Sequence, residues 1–182
     1  MIDNFDSFTF NLSYLLESLD ADVKVVRNDN VSNYDLNWCD KIVLSPGPGV
    51  PSDAKGMNEV ISLMYSKKPI LGVCLGMQAL AEFFGDPIYN LNKVFHGVQK
   101  TISIKDGSNL FKGMGPTKEV ALYHSWAVKL KDYSCFLPLA FSEDEVLMAI
   151  KHSDFPVFGI QFHPESILTR NGKEIIDNFL KL

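Results

Sequence analysis

The chain has 182 residues, 46% of them hydrophobic and 21% charged, and a net charge of −5. This is the composition of an ordinary globular protein, and it excludes collagen-like, disordered and disulfide-stapled miniprotein classes. The acidic balance and the lack of any basic run longer than Lys67-Lys68 argue against nucleic acid or a membrane surface as a partner. At roughly 100–200 residues per domain, the length predicts a single domain over residues 1–182.

Three cysteines, Cys39, Cys74 and Cys135, lie at wide spacings without a Cys-x-x-Cys pair. The odd number argues against a secreted disulfide framework, and Met1 opens no cationic, apolar leader, so we expect a cytoplasmic protein. The longest wholly apolar run, over residues 70–77, is far shorter than the about 20 residues that a bilayer span needs. We therefore expect no segment that crosses a membrane.

The first half of the chain alternates short β-rich runs with stretches of helical period. A polar turn over residues 3–7 precedes a helix that starts near Phe8 and runs to Leu19. The next predicted elements are strands over 23–26 and 41–44, a proline- and glycine-rich loop over 45–52, a helix through Met57 and Met64, a strand over 70–73, and a helix through Leu80 that Gly85 caps. This alternation predicts an α/β fold with a parallel sheet covered on both faces.

The second half is richer in β-type patterns. Its apolar or alternating runs predict strands over 101–104, 119–123, 127–130, 146–151 and 157–162, and a closing helix carries Ile175, Ile176, Phe179 and Leu180. We interpret these strands as a mixed or antiparallel portion of the same sheet system. No repeat, low-complexity tract or Gly/Ser linker interrupts the chain, which again favours one domain.

A cysteine stands at a predicted strand-to-helix corner, in Gly72-Val73-Cys74-Leu75-Gly76. Glycine on either side permits the tight, strained turn that lifts a nucleophile clear of a sheet. The N–H groups at a helix N-terminus also stabilise a thiolate. The pattern therefore indicates a nucleophilic Cys74, against the alternative of a buried cysteine packed as a small hydrophobe, which is the preferred interpretation of Cys39 and Cys135.

A proton-exchanging partner is available in Gln161-Phe162-His163-Pro164-Glu165-Ser166, just after a predicted strand. His163 and Glu165 are two residues apart, with Pro164 fixing the backbone between them, so the carboxylate can orient the imidazole and support its cation. Taken alone, such a histidine is more often an ordinary polar or capping residue. Together with Cys74 it becomes a candidate base, because reactive groups of open parallel sheets gather at the carboxyl ends of strands.

Acyl transfer also requires N–H donors for the oxyanion of the tetrahedral intermediate. The N–H of Leu75 directly follows the nucleophile, and Gly49 lies in the Pro-Gly-Pro-Gly loop after a predicted strand. A glycine can turn its peptide inward there at little steric cost. Leu75 and Gly49 are therefore the candidate donors, and the alternative for the loop is a rigid turn without further role.

These motifs, in this order, resemble the class I (triad) glutamine amidotransferases over essentially the whole chain. The resemblance rests on the elbow over 72–78, the loop over 45–49, the segment Tyr123-His124-Ser125-Trp126 and the block over 161–166. The opening over residues 2–9, Gly97 after His96, and the ending over 167–169 are similar to the small subunits (component II) of anthranilate synthase and aminodeoxychorismate synthase. The resemblance implies an open, mostly parallel central sheet of flavodoxin-like type, with helices on both faces and a small antiparallel portion.

The resemblance also implies roles for individual residues. Cys74 would be the nucleophile, His163 the acid and base, and Glu165 its orienter. The implied glutamine contacts come from Gly47, Pro48 and Gly49, from Gln78, and from Ser125 and Trp126 chiefly through their backbone. The implied reaction is thiolate attack on the L-glutamine carboxamide, release of ammonia, and hydrolysis of the glutamyl thioester. Ammonia would pass to a chorismate-binding large subunit (component I), and no metal or other cofactor is implied on this chain.

The sequence departs from the chorismate-linked pattern at a few positions. Met77 stands where these small subunits more often have histidine, Trp126 where leucine is usual, and Val98 where lysine usually follows His-Gly; the first strand is also expected to be short. Met77 fits other class I branches, so a subunit of imidazole glycerol phosphate synthase is the runner-up. The further alternatives are a non-catalytic flavodoxin-like regulatory module and a cysteine hydrolase acting on another amide.

Overall fold

Eleven strands and four α-helices form the computed structural model, which describes residues 1–105 and 107–182. The strands are β1 (Ile2–Asp3), β2 (Val26–Arg27), β3 (Ile42–Leu44), β4 (Ile70–Val73), β5 (Ile88–Asn90), β6 (Val98–Ile104), β7 (Thr117–Leu122), β8 (Trp126–Val128), β9 (Phe136–Ser142), β10 (Leu147–His152) and β11 (Val157–Ile160). The helices are α1 (Thr9–Glu17), α2 (Lys55–Met64), α3 (Leu75–Phe83) and α4 (Gly172–Leu180). None of these helices has the length and hydropathy needed to cross a membrane.

Nine of the strands make one sheet in the order β2-β1-β3-β4-β11-β10-β9-β6-β7. The strands from β2 to β11 are parallel to one another, and every later neighbour is antiparallel. β5 and β8 form a separate two-stranded antiparallel sheet. The predicted α/β class, with a mostly parallel centre and an added antiparallel portion, is confirmed.

Two hydrophobic clusters lie on opposite faces of the parallel strands. Leu12 of α1 and Phe179 of α4 belong to one cluster, and Met57 of α2 and Leu80 of α3 belong to the other. β4 and β11 lie between the two clusters, and every residue of both strands is buried. Strands covered on both faces need near-continuous apolar sequence, which is why these two were recognisable as short apolar runs.

The predicted helices are all present, and the predicted strands are present with changed limits. The strand expected over 23–26 is formed only at Val26–Arg27, because β1 offers only its two residues as pairing partners. The strand expected over 127–130 lies in the two-stranded sheet rather than in the main sheet. β5 and β9 were not predicted. β9 contains Pro138, which has no N–H to donate, and the ladder between β9 and β10 shifts register beside that proline.

The first turn of α3 lies directly on the ends of two parallel strands. A Cβ atom at Gly72 would stand 2.4 Å from the carbonyl carbon of Gly76, and one at Gly76 would stand 2.4 Å from the carbonyl oxygen of Leu44. Both obstacles are backbone atoms, which cannot rotate away as a side chain can. The two glycines therefore permit the close approach that places the N-terminus of α3 at the carboxyl edge of the sheet.

We expect Gly72→Ala to lower the free energy of unfolding by about 2–3 kcal/mol, because the added methyl group must push α3 away from β4. Urea denaturation would measure the change. Gly115→Ala is the matched control, since a Cβ atom there meets nothing within 4 Å. Equal stabilities of the two variants would contradict the close-packing argument.

Candidate active site

Cys74 occupies the corner between β4 and α3, as the sequence predicts. It is the residue before the first turn of α3, with φ 52° and ψ −104°, and it is buried. A positive φ is costly for a residue with a Cβ atom, and such strained residues cluster at functional sites. The backbone geometry thus supports a nucleophile held at a strained corner.

The pairing of β4 with β11 brings the cysteine next to the histidine block. Val73 is paired with Ile160, and the Cys74 N–H donates to the Ile160 carbonyl at 2.8 Å. The chain that leaves β11 therefore runs beside the elbow. His163 follows three residues later, within interaction range of the Cys74 side chain.

The backbone of His163 is held on both sides. Its N–H donates to the Ala121 carbonyl at 3.1 Å, and its carbonyl accepts from the Thr169 hydroxyl at 2.7 Å. The same hydroxyl oxygen accepts from the Ala121 N–H at 2.9 Å. These three bonds tie the block to β7 and fix the point from which the imidazole extends.

His163 and Glu165 form a buried pair. Nδ1 of His163 lies 2.6 Å from Oε1 of Glu165, and their side chains are 3% and 0% exposed. Burial alone lowers the pKa of His163, but its interactions with Cys74 and with Glu165 outweigh burial and raise that pKa to about 10. The carboxylate accepts from Nδ1–H and leaves Nε2, which has no hydrogen-bond partner among the described residues, available for proton transfer.

Two aromatic rings that the sequence analysis did not assign to the site enclose the imidazole. The Tyr123 ring lies 4.9 Å from the His163 ring at a steep angle, and the Phe8 ring lies 5.9 Å from it. The two aromatic rings are themselves 5.2 Å apart. Their apolar surface excludes water from the ring and restricts its rotation, while the face of an aromatic ring favours a nearby cation.

The Pro-Gly-Pro-Gly loop lies against the elbow. A Cβ atom at Gly47 would stand 2.7 Å from Leu75 Cδ2 and 2.7 Å from Asn4 Cβ, so the loop backbone touches the first turn of α3. Gly49 has φ +75°, a conformation that favours glycine. Pro48 and Gly49 are exposed. The two predicted sources of oxyanion donors, Gly49 and Leu75, thus belong to segments in contact.

Gln78, predicted to contact substrate, uses its amide nitrogen inside the protein. Nε2 of Gln78 donates to the Trp126 carbonyl at 3.0 Å and to Oε1 of Gln161 at 3.2 Å. The Ser125 carbonyl accepts from the Leu91 N–H at 2.7 Å. The structure therefore brings Gln78 of α3 next to the Ser125-Trp126 segment, and both backbone carbonyls of that segment are already engaged.

His124 is a buried histidine to which the sequence analysis gave no role. Its Nδ1 lies 2.8 Å from the Trp126 carbonyl, and its Nε2 has no partner among the described residues. The pKa of His124 is lowered to about 4, chiefly by burial and to a smaller extent by the nearby His163, against the raising effect of the bond to the Trp126 carbonyl. The ring is therefore neutral at pH 7, and Nδ1 donates its proton to the carbonyl.

Gln161 is the second residue whose role was missed. It is fully buried, and its Nε2 lies 3.5 Å from the Cys74 sulfur. A signal was present in the sequence, because Gln161 is one polar residue between the apolar Ile160 and Phe162 at the end of a buried strand. Among the described residues, no group of three or more His, Cys, Asp or Glu could hold a metal ion.

Comparison with known proteins identifies the family of the chain. Residues 1–182 match the family model described as glutamine amidotransferase class-I. The chain is 42% identical to Escherichia coli aminodeoxychorismate synthase component 2, over 99% of this chain and 97% of the relative. It is 41% identical to Pseudomonas aeruginosa anthranilate synthase component 2, over 100% and 94%.

Among solved structures, a Thermoplasma acidophilum protein described as part of a GMP synthase superposes with a TM-score of 0.87 at 28% identity, covering 99% of this chain and 90% of that one.

Met77, where the sequence departs from the chorismate-linked pattern, is fully buried. It lies over Gly159 of β11, so its side chain has a packing role. The fold, the strained cysteine and the family match lead to one conclusion: the chain belongs to the class I glutamine amidotransferases.

Proposed function

We propose that this chain is the glutamine-hydrolysing subunit of a synthase that aminates chorismate to anthranilate or to aminodeoxychorismate. The observation that carries the proposal is the arrangement of Cys74, His163 and Glu165: a strained, buried cysteine, an imidazole in range of its sulfur, and a carboxylate 2.6 Å behind that imidazole. This is the nucleophile, base and orienter order of a triad. Both relatives described above carry the name of such a component.

The proposed reaction begins with attack of the Cys74 thiolate on the carboxamide carbon of L-glutamine. The N–H groups of Leu75 and Gly49 would stabilise the oxyanion. His163 would give its Nε2 proton to the departing nitrogen, which leaves as ammonia. A water molecule would then attack the thioester, His163 would take its proton, and glutamate and the thiolate would be released. Glu165 holds the imidazole through Nδ1 in every step.

The surroundings of the site restrict how glutamine could be bound. The loop of Gly47, Pro48 and Gly49 borders the elbow and is exposed at its last two residues; the N–H groups of its glycines would meet the substrate carboxylate. Because both carbonyls of the Ser125-Trp126 pair are engaged, their contacts would come from N–H groups. Gln78 would contact the substrate through Oε1, since its Nε2 already has two acceptors.

The remaining parts of the proposal concern the state of the protein. The two clusters that flank one sheet support a single domain over residues 1–182. Three free cysteines support a reducing, cytoplasmic location. The proposed hydrolysis uses no metal or other cofactor on this chain. The acceptor of ammonia would be a chorismate-binding component I, with no role for nucleic acid or a membrane.

Cys74→Ala should lower the rate of glutamine-dependent product formation by the complex about a thousandfold or more, while product formation from added ammonium salt continues. The reason is that the variant lacks the nucleophile but keeps the surface that meets the large subunit. Glutamate release and product would be measured in parallel. Cys135→Ala, at a half-buried cysteine away from the site, is the control and should behave as wild type; equal glutamine-dependent activity in both variants would sink the proposal.

The choice of partner is a separate experiment. The wild-type chain would be combined in turn with the large subunits of anthranilate synthase and aminodeoxychorismate synthase and with the synthase subunit of the imidazole glycerol phosphate branch. We expect glutamine-dependent activity with one or both chorismate enzymes. Activity with the third partner alone would assign the chain to that branch. If a glutamine-analogue electrophile labels Cys74 with none of these partners bound, the result would indicate the non-catalytic module.

Glu165→Gln should shift the alkaline limb of the glutaminase pH profile to lower pH by about one unit or more, because the neutral amide no longer raises the pKa of His163.

The raised pKa of His163 also makes the free energy of unfolding depend on pH. A histidine whose folded pKa is raised stabilises the fold fully below its unfolded pKa and loses that contribution as pH rises toward the folded value of about 10. Wild type should therefore lose more stability than the variant between pH 6.5 and 10. An unchanged alkaline limb would contradict the role given to Glu165.

A further inference from the structure

A chain of buried hydrogen bonds leads from β8 to the Cys74 sulfur. The Trp126 carbonyl accepts from Nε2 of Gln78 at 3.0 Å, the same nitrogen donates to Oε1 of Gln161 at 3.2 Å, and Nε2 of Gln161 lies 3.5 Å from the sulfur. All of the side chains involved are buried. The chain reaches the sulfur without using His163, so it is a second route by which the protein acts on the nucleophile.

The direction of this chain is fixed at its Trp126 end. A carbonyl oxygen can only accept, so the atom of Gln78 beside it must be the amide nitrogen. That nitrogen donates, so the atom of Gln161 facing it must be the amide oxygen. The other end of the Gln161 amide is then the nitrogen, and it points its N–H at the sulfur. The opposite orientation of the Gln161 amide would set its NH₂ group against the NH₂ group of Gln78, with no acceptor between them.

The N–H of Gln161 favours one protonation state of the cysteine. Hydrogen bonds to an ionised acceptor are about twice as strong as those to a neutral one, and a neutral thiol is a weak acceptor. The burial of Cys74 and Gln161 strengthens the difference, because a buried site has a low effective dielectric. The bond therefore stabilises the thiolate more than the thiol, both before attack and when the sulfur leaves the thioester.

The backbone holds Gln161 in the position that this role needs. Its N–H donates to the Met148 carbonyl of β10 at 2.9 Å, and it directly follows β11, which is paired with β4. Gln161 and His163 are two residues apart in an irregular stretch, and both side chains reach Cys74. One segment thus delivers an amide donor and an imidazole to the same sulfur.

We propose that Gln161 is a further catalytic residue of the glutaminase site, whose side-chain amide holds the Cys74 sulfur as a thiolate, and that Gln78 and the Trp126 carbonyl are the positioning groups that aim it. This inference rests on the function proposed above and deepens it. It also gives Gln78 a task besides any contact with substrate.

The test measures the rate at which iodoacetamide alkylates Cys74 as a function of pH. The chain used also carries Cys39→Ala and Cys135→Ala, so that Cys74 is the one cysteine that can react. Gln161→Met keeps the length of the side chain and removes the donor; Gln161→Glu keeps the shape and turns an acceptor toward the sulfur. The pH of half-maximal alkylation should rise by about one unit for the Met variant, with a tenfold slower reaction at lower pH, and by more for the Glu variant. With the partner bound, kcat should fall while KM for glutamine stays near wild type.

Gln99→Met is the matched control, at an exposed glutamine whose amide donates to the Leu168 carbonyl, and its alkylation profile should superpose on wild type. If the alkylation profile of Gln161→Met also superposes on that of wild type, the proposal is overturned. A loss of thermal stability in that variant would then indicate that Gln161 has a structural role only. If that variant does not fold, Gln161→Glu and Gln78→Met decide, and unchanged profiles in both would overturn it.

The outcomes separate this inference from the proposed function. A wild-type chain without glutaminase activity beside any partner would refute the proposed function, and a shifted Gln161→Met profile would still support the thiolate contact. An active wild type whose Gln161 variants keep the wild-type profile would refute the inference alone.

Discussion

The parallel pairing of β4 with β11 is the constraint on which the site depends. The chain places Cys74 and His163 far apart in sequence, and only the register of Val73 with Ile160 puts them side by side. Both strands are fully buried between two hydrophobic clusters, so slipping the register would exchange the side chains between the clusters and disrupt the packing of both, as well as separate Cys74 from His163. The same burial that stabilises the sheet therefore fixes the geometry of the proposed triad.

Burial also explains where the structure leaves polar atoms unpaired. Among the described residues, the buried side-chain atoms without a hydrogen-bond partner are Nε2 of His124, Nε2 of His163 and Oε2 of Glu165. Unpaired buried atoms cost free energy, and folded proteins hold few of them. All three belong to the proposed site or to the segment beside it. Such a concentration is expected where a protein keeps groups ready for a substrate or a proton instead of for its own stability.

The sequence was informative where a local pattern has one physical meaning. Glycines around Cys74 meant a close strand-to-helix turn, and apolar runs meant buried parallel strands; the structure has both. It was uninformative where long-range pairing decides, as in β9, a strand that pairing with β10 maintains although it contains Pro138. The position of Gln161 as a polar residue in an apolar run marks it in the sequence, but its role could not be derived there, because that role depends on Gln78 and Cys74, which only the folded chain brings to it.

Two histidines near the site show how environment, not residue type, assigns the roles. His163 has a carboxylate and a thiol beside it, and its pKa is raised; His124 is buried without a charged partner, and its pKa is lowered. Part of the lowering at His124 comes from His163 itself, since a second cation close by would be repelled. One ring is therefore kept as the carrier of the proton, and the other is kept neutral. A neutral His124 donates to the Trp126 carbonyl and helps fix the acceptor from which the hydrogen-bond chain to the nucleophile begins.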